Sequence, residues 1–136
     1  MADDAITAAH RSGDLKTAFL WTAGRTLELW AGMKMAGEKD KVIERALAGS
    51  VAVQAVITGW MLYAKNRPDV KLPSIEAVQR RDLFGMVATY ILRSTIVGVG
   101  MVIAGFRDNV IRNALAGGAV IEASVIAFNL REMEQT

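Results

Sequence analysis

Four long apolar stretches dominate the pattern of hydrophobic and polar positions along the chain. They cover residues 17–36, 45–64, 84–105 and 110–130, each about 20 residues long. A helix of about 20 residues rises roughly 30 Å, which matches the hydrocarbon thickness of a bilayer. Residues 46–64 contain no charged side chain, whereas the first stretch contains Arg25, Glu28 and Lys34. The pattern therefore predicts four helices, of which the first is the least apolar.

The second half of the chain resembles the first. Shifted by 68 residues, positions 25–62 align with positions 93–130 without a gap, and fourteen of the 38 pairs are identical. Self-similarity of this kind indicates an internal duplication. The repeated unit is predicted to be a helical hairpin. The expected fold is therefore all-α, a four-helix transmembrane bundle built from two tandem hairpins.

Short polar segments divide the chain between these helices. We predict a peripheral N-terminal segment (1–16), a first hairpin (17–64), a linker with a short amphipathic helix (65–83), a second hairpin (84–130) and a polar tail (131–136). Asp14 and Asp82 are the predicted N-caps of the first helix of each hairpin, and Asp40 and Asp108 those of the second. Ser74 is the predicted N-cap of the linker helix.

Composition excludes several kinds of chemistry. The 136 residues include no Cys and one His, which leaves no thiolate or multi-histidine metal site. Two glycine pairs, Gly98 with Gly100 and Gly117 with Gly118, lack the strand context of a phosphate-binding loop. A net charge of +2 gives no electrostatic case for nucleic acid as a partner. We expect no metal, no cofactor and no catalytic residue.

The apolar stretches fit a lipid bilayer better than water. On residues 46–64 the polar positions Ser50, Gln54 and Thr58 leave the rest of the helix apolar, whereas a soluble bundle needs broad polar faces. Small residues four apart, which let helices approach closely in lipid, occur on all four helices. The pairs are Gly32 and Ala36, Ala46 and Ser50, Gly100 and Ala104, and Ala114 and Gly118. An integral membrane protein is favoured, with a soluble helical bundle as the alternative.

Polar residues gather near the centres of the predicted spans. They are Arg25, Glu28, Gln54, Arg93 and Glu122. Ionisable side chains at membrane depth are energetically expensive and face the bundle interior. One interpretation is a polar pathway or binding site, in which Arg25 and Arg93 contact an anion or a headgroup and Glu122, alone or with Glu28, carries protons. The other is a set of ion pairs and hydrogen bonds that fixes helix register.

The sequence predicts the orientation in the membrane and the function only at a coarse level. Eight basic residues lie on the side of both termini and six on the side of the hairpin turns, which favours cytoplasmic termini. The two hairpins enter the membrane in the same direction, unlike the inverted repeats of many transporters. The leading hypothesis is a structural or accessory subunit of a membrane assembly, in contact with lipid and with further copies or other membrane subunits. A small transporter or channel is the first alternative, a soluble bundle the second, and an enzyme the most remote.

Overall fold

The computed structural model of the chain is all helical over the residues that it describes, which are 7, 8, 10, 14–67 and 69–135. Five helices have defined bounds: α1 (Leu15–Met35), α2 (Val42–Tyr63), α3 (Pro73–Gln79), α4 (Leu83–Ile103) and α5 (Val110–Gln135). This described part contains no strand. The prediction of an all-α protein is confirmed. The predicted segment 1–16 lies largely outside the described residues.

Two of the predicted caps start their helices. The Asp14 carboxylate accepts from the Lys16 amide at 3.1 Å, at the start of α1. The Asp82 carboxylate accepts from the Gly85 amide at 3.1 Å, at the start of α4. Each bond satisfies one of the backbone donors that a helix N-terminus leaves unpaired. Asp14 and Asp82 thus mark where the first helix of each hairpin begins.

The other three predicted caps are wrong. Lys41 and Asn109 precede α2 and α5 in the left-handed conformation, with φ of 49° and 55°, so Asp40 and Asp108 lie one residue too early to cap. In the linker, α3 begins at Pro73 rather than after Ser74. Proline suits the first position of a helix because its fixed φ is helical and its missing N–H is not needed there.

Glycine ends the first helix of each hairpin. Gly37 and Gly105 adopt φ of 95° and 101°, a conformation that only glycine adopts without a steric penalty. In both turns the glycine N–H and the next N–H donate to carbonyls in the last helical turn, which is the Schellman arrangement. These turns place the second helix of each hairpin antiparallel to the first.

Each long helix packs mainly against two others. Helix α1 contacts α2 and α5, α4 contacts the same two helices, and the short α3 rests on α4 and α5. The central core takes residues from all four long helices, namely Leu29, Met33, Val42, Ala46, Val53, Val97, Met101, Ala114 and Ile121. A second cluster of Met61, Leu72 and Ile75 joins α2 to the linker and α3. The buried side chains therefore form a column between the long helices.

Three of the helices are long and apolar enough to cross a membrane. They are α2 with 22 residues, α4 with 21, and Val110–Glu134 of α5 with 25. Helix α1 does not reach this composition, because Arg25 and Glu28 lie near its middle with Lys16 and Lys34 towards its ends. Helix α5 continues through Gln135, so most of the predicted polar tail is helical.

The outward faces of all four long helices are apolar. Examples are Leu27 on α1, Val51 on α2, Leu92 on α4 and Phe128 on α5, with exposed fractions of 67%, 52%, 55% and 44%. Among the described residues, the exposed charged side chains all lie near helix ends or in connecting segments. Soluble monomers rarely expose contiguous apolar surface beyond a few hundred Å². Three apolar helices with such a surface are compatible with a membrane protein.

Candidate functional site

A polar contact joins the middles of α1 and α2. Arg25, which is 6% exposed, donates from Nη1 to Gln54 Oε1 at 3.2 Å and to the Ser50 carbonyl at 3.3 Å. The Ser50 hydroxyl donates in turn to the Thr22 carbonyl at 2.8 Å. A buried cation is therefore held by one amide and one main-chain carbonyl, and both groups belong to the neighbouring helix.

An ion pair lies at the equivalent place between α4 and α5. Arg93 donates from Nη1 to Glu122 Oε2, and the two side chains are 10% and 13% exposed. The pair stands 68 residues after Arg25 and Gln54, so the second hairpin has a carboxylate where the first has an amide. Glu122 Oε1 is buried and has no hydrogen-bond partner in the described part of the chain.

Glu28 links the two pairs. It is half-buried on α1, lies next to Ser124 of α5, and interacts electrostatically with both Arg25 and Arg93. The two guanidinium groups also repel each other. The structure thus brings the five residues singled out from the sequence into one neighbourhood with two cations and two carboxylates. Opposite charges in equal number lower the cost of burying each of them.

Two glycines allow the hairpins to approach each other closely. A Cβ on Gly32 of α1 would lie 2.7 Å from Gly117 Cα of α5, and one on Gly100 of α4 would lie 2.7 Å from the Ala48 carbonyl oxygen of α2. Both distances are shorter than side-chain carbons tolerate. Close backbone approach at small residues is typical of helices that pack in lipid.

The other predicted packing residues fall into two groups. Four are buried inside the long helices, namely Ala46, Ser50, Ala114 and Gly118. A Cβ on Gly118 would collide with the Ser94 hydroxyl of α4. Ala36 and Ala104 are the C-cap residues of α1 and α4 and are half-exposed and exposed. These two alanines lie at the hairpin turns, away from the closest contacts.

A second polar cluster, which the sequence did not reveal, joins the two hairpin turns. Arg45 is 1% exposed and donates to the Asp40 carbonyl at 2.9 Å and to the carbonyl and carboxylate of Asp108 at 2.9 and 3.0 Å. Its guanidinium lies 4.8 Å from the centre of the Phe106 ring. The two aspartates that were predicted as caps therefore bind an arginine instead.

Glu38 completes this turn cluster. It is 6% exposed, and its Oε1 accepts from Asn113 Nδ2 at 2.8 Å. That hydrogen bond, followed by the amides of Asp40 and Lys39 and the charge of Arg45, holds the pKa of Glu38 below its ordinary value of 4.5 against the opposing effect of burial. The bond from Arg45 lowers the pKa of Asp108 in the same way.

Apolar grooves open on the outer surface, and two of them are lined by residues in the described part of the chain. One, of about 410 Å³, runs between α4 and α5 beside Gly98. The other, of about 270 Å³, lies between α2, α3 and α4 and is named here the Arg93 groove. Its walls include Val56, Ile57 and Trp60 of α2, Leu72 of the linker, and Leu92 and Arg93 of α4. The Arg93 groove thus connects the outer surface with the central polar cluster.

Comparison with known proteins identifies no relative. The chain matches no protein-family model, no curated protein and no solved structure. Among the described residues, no group of three or more His, Asp or Glu side chains is arranged to hold a metal ion.

Proposed function

We propose that this chain is a four-span integral membrane protein, formed by duplication of a helical hairpin, that serves as a structural or accessory subunit of a membrane assembly. The observation that carries the proposal is the distribution of charge. Exposed apolar side chains cover the outward faces, while the charged side chains away from the helix ends, Arg25, Glu28, Arg93 and Glu122, are buried or half-buried. Lipid-exposed apolar faces around an inward polar cluster are what a bilayer requires.

Helix α1 is proposed as the fourth span despite its charges. Arg25 and Glu28 face the interior, and the opposite side of α1 presents Phe19, Leu20 and Leu27, which are 71%, 58% and 67% exposed. A charge at the centre of an isolated span costs about 2.5–3.5 kcal/mol to insert. Partners on α2, α4 and α5 offset that cost. Insertion of α1 therefore depends on the other three helices.

Equivalent contacts support the proposed duplication. Gly32 approaches the Ala116 carbonyl, and Gly100 approaches the Ala48 carbonyl. Adding 68 to Gly32 and to Ala48 gives Gly100 and Ala116, so each hairpin uses the same two positions against the other. This reciprocity fits two hairpins related by a twofold axis along the membrane normal, the arrangement that parallel repeats adopt.

A subunit role is favoured by the way the central charges are used. Arg25 binds Gln54 and Ser50, and Arg93 binds Glu122, so these contacts fix the register of neighbouring helices. The outward grooves leave apolar surface for lipid, further copies or other subunits. Both termini are proposed to lie in the cytoplasm, with the two hairpin turns on the opposite side.

Membrane extraction tests this proposal. The protein should stay in the pellet after an alkaline carbonate wash, dissolve only in detergent, and be recovered there as a defined oligomer or with a stoichiometric partner. Replacing Arg93 with Ala removes the bond that holds α4 against α5 and should reduce the assembly or the stability of the protein, whereas Arg80→Ala, on the exposed linker ion pair with Glu76, should leave both intact. A folded protein released into plain buffer would contradict the membrane proposal. A strictly monomeric protein with no partner would contradict the subunit proposal.

A transporter or channel is the second candidate, and one observation favours it. Glu122 Oε1 is buried near the middle of α5 without a partner in the described part of the chain, and acidic groups at that depth are typical of proton pathways. In liposomes this function predicts an ion or proton flux that Glu122→Gln removes while helix content is retained. A broad panel of ions and solutes without flux would eliminate this candidate.

A further inference from the structure

The Arg93 groove has the form of a small-molecule site. Its volume of about 270 Å³ is near the lower end of the range for ligand clefts, which are mostly apolar with a few placed polar groups. Val56, Ile57, Trp60, Leu72 and Leu92 supply the apolar wall, and Arg93 supplies a strong donor. Val56 and Leu92 in its wall are 49% and 55% exposed, so the groove is open to the proposed lipid.

Arg93 has donors to spare. Its side chain is nine-tenths buried and forms part of the groove wall. A guanidinium carries five N–H donors, and in the described part of the chain its hydrogen-bond partner is Glu122, reached through Nη1. Because hydrocarbon offers no acceptors, unsatisfied donors at this depth carry a large energetic cost. A ligand oxygen in the groove would relieve it.

Charge balance selects an uncharged oxygen. Glu122 already neutralises Arg93, and Glu28 accompanies Arg25 in the same cluster. A carboxylate on the ligand would be the third in this cluster and would leave a net negative charge in a region of low dielectric constant, where isolated charges are strongly disfavoured. A carbonyl oxygen accepts the same hydrogen bonds without adding charge.

Depth selects a molecule other than a bilayer phospholipid. Arg93 is the eleventh residue of the 21-residue helix α4, so it lies about 15 Å from either helix end. Phospholipid ester groups lie at the edge of the hydrocarbon core, which is also about 15 Å from its centre. They do not reach Arg93, whereas a free lipophilic molecule can place its carbonyl at the midplane.

From these observations we infer that the Arg93 groove binds an uncharged lipophilic molecule with a carbonyl oxygen at one end of an apolar body, such as a long-chain acyl ester. The carbonyl accepts from Arg93, and the apolar body lies along Val56, Trp60 and Leu92. The inference rests on the proposed membrane location and is independent of the subunit role.

Quenching of Trp60 fluorescence provides the test. The chain has three Trp residues, and Trp21→Phe with Trp30→Phe leaves Trp60, in the groove wall, as the single reporter. The probe is a methyl ester of stearic acid brominated along its chain, added to the protein in detergent micelles. Saturable quenching is expected, since bromine quenches an indole only in close contact. Quenching that rises linearly with probe would show partition into the micelle only and would overturn the site.

Two valines of α2 give a matched pair of variants. Val56 lines the groove and Val51 does not, although their exposed fractions are similar at 49% and 52%. Val56→Phe fills the groove and should weaken the apparent affinity for the ester at least tenfold. Val51→Phe should change it less than twofold. Equal effects of the two variants would overturn the assignment of the ligand to the groove.

The role of Arg93 is tested with a probe that lacks oxygen. Brominated octadecane should bind at least fivefold more weakly than the ester, and Arg93→Lys, which keeps the ion pair with Glu122 but has fewer donors, should remove most of that preference. Equal binding of ester and alkane would overturn the carbonyl contact.

A brominated phospholipid tests the choice of ligand. It should quench without saturation and fail to compete with the ester, and competition would overturn the choice of ligand. If the protein stays in the membrane after the carbonate wash but fails these binding assays, the groove proposal is wrong and the membrane proposal stands.

Discussion

Two arginines of similar burial, Arg25 and Arg45, occupy different environments. Arg25 lies at the middle of α1 and binds an amide and a carbonyl of α2. Arg45 lies at the hairpin turns and binds two main-chain carbonyls and the carboxylate of Asp108. The burial of Arg25 therefore depends on partners from α2 at the proposed midplane, whereas Arg45 joins the two hairpin turns at one end of the long helices.

Replacement of Arg45 should destabilise the fold. Arg45→Met removes three charge-assisted hydrogen bonds from a buried cluster, so the free energy of unfolding should fall by about 3–5 kcal/mol. Thermal unfolding in detergent, followed by circular dichroism, measures the change. The control is Arg112→Met, because Arg112 is 46% exposed and lies 3.6 Å from the same Glu38; it should cost less than about 1 kcal/mol. Equal losses would mean that the turn cluster adds nothing beyond surface ion pairing.

Acid should loosen the turn cluster through Glu38. The folded protein holds the pKa of Glu38 below its ordinary value of 4.5. The ionised carboxylate therefore stabilises the fold at pH values above 4.5, and this stabilisation is lost as the pH falls from 4.5 through the lowered pKa of the folded state. Glu38→Gln should therefore flatten the fall in melting temperature between about pH 5 and pH 3.

Asn113→Leu supplies an independent check of the same effect. Asn113 does not titrate, yet its hydrogen bond is the largest cause of the lowered pKa of Glu38. The variant should therefore reduce the acid sensitivity of stability as well. Wild-type acid sensitivity in both variants would contradict the assigned role of Glu38.

The sequence predicted the central residues better than the turn cluster. Arg25, Glu28 and Arg93 stand out because each interrupts a long apolar pattern, and an ionisable residue in such a pattern must face inward. Arg45 borders its apolar stretch, where a charge is ordinary. Its burial depends on how Asp40 and Asp108 fold back around it, and that geometry is set by turn conformations rather than by spacing along the chain.

At the scale of helices, the apolar pattern predicted which segments are helical better than it predicted where each helix begins and ends. The four predicted helices are present within a few residues, and so is the short linker helix. Helix α2 begins at Val42, directly after the left-handed residue Lys41 and three residues before its predicted start at Arg45, whereas α5 begins at Val110 as predicted. Helix α5 runs through Gln135 because residues 131–135 contain neither Gly nor Pro to end it.

Close packing of helices makes a prediction about glycine. Gly100→Ala would place a Cβ 2.7 Å from the Ala48 carbonyl oxygen of α2, so it should destabilise the protein by about 1–3 kcal/mol through overpacking. Gly59→Ala on α2 meets nothing within 4 Å and should be neutral or stabilising by up to about 1 kcal/mol. Thermal unfolding of both variants in detergent measures the change in stability. A neutral Gly100→Ala would contradict the close approach of α2 and α4.

For the whole molecule, the outer surface carries more information than the core. A core shared by four helices also suits a soluble bundle. The distinguishing feature is the apolar outward faces, with exposed charges near the helix ends in the described part of the chain. The decisive element is α1, whose composition falls short of a span while its outer face, including Leu27 at 67% exposed, is apolar.

The most direct test therefore places a probe on the outer face of α1. The chain has no native Cys, so single cysteines at Leu27, Leu92 and Lys39 can each carry a spin label in protein reconstituted into liposomes. The account predicts that labels at Leu27 and Leu92 collide often with oxygen and rarely with a water-soluble nickel chelate, while the label at Lys39 in the turn shows the reverse. A label at Leu27 that is as accessible to nickel as the one at Lys39 would place α1 in water and contradict the four-span protein.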